Sequence, residues 1–202
     1  MNHNKQAGRL ILENLDLFNE TAILYETIES DIYAKLCELI QIWTNSRDWT
    51  VDFLDGLGGS KLYSPVFRDE NFPDRSNAWF EILVIQDTSD YFLADLCGVG
   101  TTTVGFWFGA DAKALGFENK RAWNKRLQSV ADRYGDRLSQ FGIKLDDRFY
   151  LPFTLDQKKL ADAWADDIYD ELFQPIKTAL GTLENAVPIF DEMLREMRSI
   201  PG

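Results

Sequence analysis

The chain has 202 residues, 45% apolar and 27% charged, with 33 acidic against 21 basic side chains for a formal charge of −12. Those proportions fit one globular domain with enough apolar mass for a real core, and its two cysteines exclude a disulfide framework. An acidic exterior repels nucleic acid and anionic membrane at long range and attracts cationic partners.

The first eight residues are polar and are expected to fray. They lack the charged-then-apolar order of a secretory leader. No apolar run approaches the roughly 20 residues of a membrane helix, so the expectation is a cytoplasmic, bacterial-type protein without membrane association. Leu10 to Phe18 is apolar on several sides and reads as a short helix or a packed arm. Asn19 is the expected N-cap of a long helix, Glu20 to Asn45, with the stripe Ile28, Ile32, Leu36, Ile40 and Trp43 at helical period.

Trp49 to Leu54 and Lys61 to Phe67 are strand candidates joined by the glycine-rich turn at 55–60, and a charged, proline-containing loop occupies 68–77. Three apolar runs follow: Trp79 to Gln86, Tyr91 to Cys97 and Thr102 to Phe108. Short polar or glycine turns separate them, which predicts an antiparallel meander. Along the third run Val104, Phe106 and Phe108 share one face while Gly105 and Trp107 share the other. Both faces carry bulk, so cover is expected on both. Gly105 among large neighbours implies a close backbone approach or a bulge.

A second long helix is expected over 118–141. Trp123, Leu127, Val130, Tyr134, Leu138 and Phe141 form its core face, and Gly142 stops it. Its outer face carries Lys120, Arg121, Lys125, Arg126, Arg133 and Arg137. Residues 143–153 predict one more strand, broken at Pro152. A third helix is expected from Asp156 to about Phe173, with Gly181 ending any continuation. A last helix is expected with Pro188 in its first turn. The expected fold is a single α+β domain over 1–202: an antiparallel sheet of about three to six strands covered by three or four long amphipathic helices.

The chemistry is narrowed mainly by what is missing. His3 is the only histidine, which removes Ser-His-Asp and Cys-His nucleophiles, and two distant cysteines make no zinc site. Neither glycine-rich stretch has a phosphate-binding pattern, so no cofactor is expected. In the predicted meander Asp87 and Asp90 approach Asp111, with Lys113 two residues beyond. Two or three carboxylates with a lysine are what a magnesium ion and a water need for phosphodiester cleavage. This resembles the acid and acid-x-lysine pattern of PD-(D/E)xK nucleases, although Asp111-Ala-Lys113 falls at a strand end. Phosphate contact is the other nucleic-acid route, through Lys120, Arg121, Lys125 and Arg126.

The sharpest electrostatic feature is the acidic row Asp162, Asp166 and Asp170, flanked by Asp167 and Glu171. Like charges four apart destabilise a helix by a few tenths of a kcal/mol per pair (roughly 0.2–0.5). A row that accepts this cost is either presented to a cationic partner or met by the chain's own cations. The leading expectation is a non-enzymatic binding protein of inhibitor, immunity or adaptor type that uses this row to engage a basic protein. The alternative is a nucleic-acid-binding or metal-dependent nuclease-like component of a bacterial or phage defence system. A small-molecule pocket between sheet and helices is a third class.

Overall fold

A computed structural model describes residues 3–53, 60–68, 76–84, 91–100 and 102–199. Among them, six α-helices accompany one six-stranded, wholly antiparallel sheet, an α+β architecture. The strands are β1 (Thr50–Asp52), β2 (Lys61–Tyr63), β3 (Ala78–Val84), β4 (Val104–Ala110), β5 (Lys144–Leu145) and β6 (Phe149–Pro152), in spatial order β1-β2-β3-β4-β6-β5. The first two form the expected added hairpin. The stretch after Gly142 supplies two strands rather than one, and they dock on the opposite edge of β4.

The longest pairing is β3 with β4, from Ala78 opposite Ala110 to Val84 opposite Val104. Strand alternation puts Phe80 opposite Phe108 and Ile82 opposite Phe106 on the inner face, with Leu62 and Leu151 beside them. All are buried. The outer face carries Tyr63, Trp79, Trp107 and Tyr150. Trp107 stacks on Tyr150 at 4.6 Å, and its buried indole Nε1 has no hydrogen-bond partner among the described residues. Gly105 is where the close approach occurs: a Cβ there would lie 2.8 Å from the Leu151 carbonyl oxygen.

The second apolar run is not a strand. It forms the short helix α3 (Phe92–Leu96) inside the β3–β4 connection. Phe92, Leu93, Asp95 and Leu96 are its buried positions, a helical spacing. The Leu-Ala-Asp-Leu segment favours a helix, and tertiary burial overrides the β preference of Tyr91-Phe92. The three-stranded meander is therefore a two-stranded pairing with a helical insert.

The inner face is covered by α2 (Leu15–Asn45) and α6 (Gln174–Ser199). Trp43 of α2 packs edge-on against Trp49 at 5.1 Å, and Trp49 stacks on Phe80. Phe190 of α6 meets Phe80, Phe108 and Phe149. The helix α4 (Lys120–Ser139) has Asn119 as N-cap, accepting from the Ala122 N–H, and packs along α6 through the expected stripe. Gly142 follows it with φ +74°, as a helix stop requires.

Two helix boundaries differ from expectation. The helix α5 (Gln157–Asp166) ends seven residues early, at Asp167, which adopts the left-handed conformation (φ 53°) while the Ile168 N–H closes back on the Ala163 carbonyl. Aspartate tolerates that conformation, and ending here avoids extending a ladder of like charges. Next, α6 runs unbroken through Gly181 and Pro188. Pro175, not Pro188, occupies its first turn, where the missing N–H is not needed. The bond that Pro188 forfeits is outweighed by the continuous buried stripe Ile176, Leu180, Leu183, Val187, Phe190 and Leu194.

At the amino end α1 (His3–Glu13) and α2 replace the predicted Asn19 start. Asn14 interrupts them, and its side-chain amide donates to the Leu10 carbonyl at 2.8 Å. Burial on α2 begins only at Ile32. Ile28 and Tyr25 are partly buried against the core, Tyr25 accepting from the Leu93 N–H, and the helix before them is exposed and stands off as an arm. Of the fifteen exposed large hydrophobic side chains described, eight fall between Leu10 and Leu24.

Candidate interaction site

The acidic row is distributed over two local structures. Asp162 and Asp166 project from α5, Asp167 is its left-handed cap, and Asp170 and Glu171 lie in the turn leading to α6. All five are exposed. Asp162 and Asp166 have no cationic partner among the described residues. The other three meet lysines: Asp167 with Lys35 at 3.7 Å, Asp170 with Lys177 at 3.0 Å and Glu171 with Lys159 at 4.0 Å. The side chains of Asp170 and Glu171 stay 93% and 90% exposed in these pairs. Exposed pairs of this kind contribute about 0–1 kcal/mol, so a competing cation can displace the lysines cheaply.

An apolar side chain stands in the middle of these charges. Ile168 is 67% exposed, directly after the left-handed Asp167. With Asp162, Ala163, Asp166 and Leu172 it borders a hollow of about 240 Å³. A helix continuing to Phe173 would carry Ile168 on its apolar face; the early end of α5 turns it outward instead. An apolar anchor ringed by charge, beside a shallow hollow, is the common arrangement of a protein-docking surface.

The cationic face of α4 divides into two parts. Arg133 and Tyr134 both donate to Glu196, and Arg137 donates to Glu192 at 2.7 Å, which clamps α4 to α6. The Arg137 hydrogen bond holds the Glu192 carboxyl below its usual range. Burial, then the Glu196 contact, pushes the Tyr134 phenol up to about 12. Lys120, Arg121 and Lys125 have no acidic partner among the described residues. Lys125 and Arg126 line a groove of about 720 Å³ with Arg198, floored by Leu115, Phe117 and Met197.

For the carboxylate–lysine centre, Asp87 and Asp90 lie outside the described residues. Asp111 is occupied locally, its Oδ1 accepting from the Lys113 and Ala114 N–H groups. The second run is the helix α3, so it does not pair with the third as the expected approach of these acids required. Val84 sits opposite Val104, at the other end of the β3–β4 ladder from Asp111, about 20 Å away along the strands. Among the described residues no three His, Cys, Asp or Glu side chains are arranged to hold a metal ion. Cys37 and Cys97 are free and half-buried, and burial pushes both thiols up.

One buried polar residue was not legible in the sequence as such. Asp95, 2% exposed, accepts from the Thr102 N–H at 3.3 Å. It ties α3 to the entry of β4. The only available signal was an acid inside an apolar run.

No family model matches this chain, and no curated protein or solved structure is detectably similar to it. Among the described residues no helix is long and apolar enough to cross a membrane.

Proposed function

We propose that this chain is a non-enzymatic binding protein, of inhibitor, immunity or adaptor type, that docks a cationic protein on the acidic corner formed by α5 and the turn after it. The carrying observation is Ile168, largely exposed and set among Asp162, Asp166, Asp167, Asp170 and Glu171. The carboxylates would raise the encounter rate and select a basic partner, and Ile168 would supply desolvated contact. The formal charge of −12 adds long-range attraction of the same sign.

Capture from a native lysate on the wild type and on the Asp162→Asn/Asp166→Asn/Asp170→Asn variant tests this. A cationic protein retained by the first and lost or reduced on the second is expected. A partner held equally by both would overturn the assignment.

A second reading rests on Lys120, Arg121 and Lys125, which lack acidic partners among the described residues, with Arg126 and Arg198 beside the neighbouring groove. It makes α4 a phosphate-contacting face for nucleic acid. Filter binding of DNA and RNA over a salt series separates the two, since each neutralised phosphate steepens the salt dependence by about 0.9 log units. No retention at low salt removes this reading.

A further inference from the structure

We propose that the amino-terminal arm pairs antiparallel with the arm of a second copy of this chain, making the protein a dimer. The core-facing stripe of α2, buried at Ile32, Leu36 and Ile40, runs through Tyr25, which still packs on Tyr91, and continues beyond the body as Leu24, Phe18 and Leu17. Leu17 and Leu24 are 63% and 49% exposed, and α1 adds Leu10 and Leu12 at 62% and 69%. Together the eight apolar side chains between Leu10 and Leu24, spread around both helices, leave on the order of 800 Å² in water, more than a monomer's largest patch ordinarily does, and pairing along one face would cover part of it.

Charge along the arm selects the occupant and its direction. Lys5 and Arg9 lie at the tip. No further cation occurs until Lys35, whereas Glu13, Asp16, Glu20, Glu26, Glu29 and Asp31 fill the interval. Parallel pairing would set six acids against six acids. Antiparallel pairing centred on Leu17 sets Leu10 level with Leu24, Ile11 level with Ile23, and Lys5 level with Glu29. Arg9 then falls within a turn of Glu26, beyond its own-chain contact with Glu13. A basic tip thus meets an acidic stem at both ends of one two-fold contact.

Sedimentation equilibrium of the full chain tests this. The wild type is expected to be a dimer at micromolar concentration. The Leu10→Gln/Leu17→Gln/Leu24→Gln variant is expected to be monomeric with an unchanged near-ultraviolet spectrum, because none of these side chains belongs to the core. Lys5→Glu and Glu29→Lys are each expected to weaken the dimer, and the two together to restore it. A monomeric wild type, including one that instead sediments with phosphatidylcholine vesicles, would overturn the proposal. So would a dimer that survives the triple substitution. A double charge swap that weakens further would overturn the antiparallel direction.

Discussion

Phe108 of β4 and Phe190 of α6 stack at 4.3 Å with their planes 23° apart, which fixes the longest C-terminal helix onto the centre of the sheet. Phe190 also meets Phe80 and Phe149 edge-on, so one ring contacts residues from three strands. Replacing it with alanine leaves a cavity that a close-packed sheet cannot collapse. The expected loss is about 3–5 kcal/mol by urea denaturation, with a smaller loss for Phe190→Leu. A loss below 1 kcal/mol would contradict this packing.

The contact between Asp95 and Gly100 makes a different prediction. A Cβ at Gly100 would lie 2.2 Å from the Asp95 carboxylate oxygen and 3.1 Å from the Asp95 backbone nitrogen. Gly100→Ala is therefore expected to destabilise by about 1–3 kcal/mol through overpacking. In Asp95→Ala the nearest obstacle is gone, so the two substitutions are expected to cost less together than the sum of their separate effects. A double-mutant cycle checks this, and simple additivity would refute the contact.

Alkaline stability should follow three tyrosines. Burial is the first cause in each case and pushes Tyr25, Tyr63 and Tyr134 up from 10.0 to about 12. Each phenol holds its proton more tightly folded than unfolded. Its contribution is therefore complete below pH 10 and is lost as pH rises toward 12. Phenolate absorbance should show these three ionising late, with stability falling across the same window.

The clamp between α4 and α6 predicts an effect at the acid end. Arg137 lowers the Glu192 pKa, so the stabilisation is present above the ordinary carboxylate value and fades as pH falls through the lowered one. Arg137→Met is expected to return the Glu192 carboxyl to its ordinary range in a carbon-13 NMR titration. An unmoved titration would mean that the pair does not form in solution.

Periodicity carried much of the fold. The stripes of α2 and α4, the flanking hairpin and the close approach at Gly105 all follow from residue spacing. Tyr91 to Cys97 misled because aromatic and aliphatic residues suit strands and buried helices alike, and seven residues are too few to show a period. Pro188 and Gly181 misled because local breaker signals yield to a continuous apolar stripe. The acidic row was readable as composition. Its division at Asp167, and the exposure of Ile168 that follows, depend on where α5 stops, and helix ends are set by tertiary contacts that spacing does not encode.

The acidic corner is tested most directly by association kinetics with the captured cationic partner, measured against ionic strength for the wild type and for Asp162→Asn/Asp166→Asn. The wild-type on-rate is expected to fall steeply with salt. The variant should associate more slowly at low salt, with a flatter dependence. Identical on-rates and identical salt dependences would contradict the claim that this corner is the working surface.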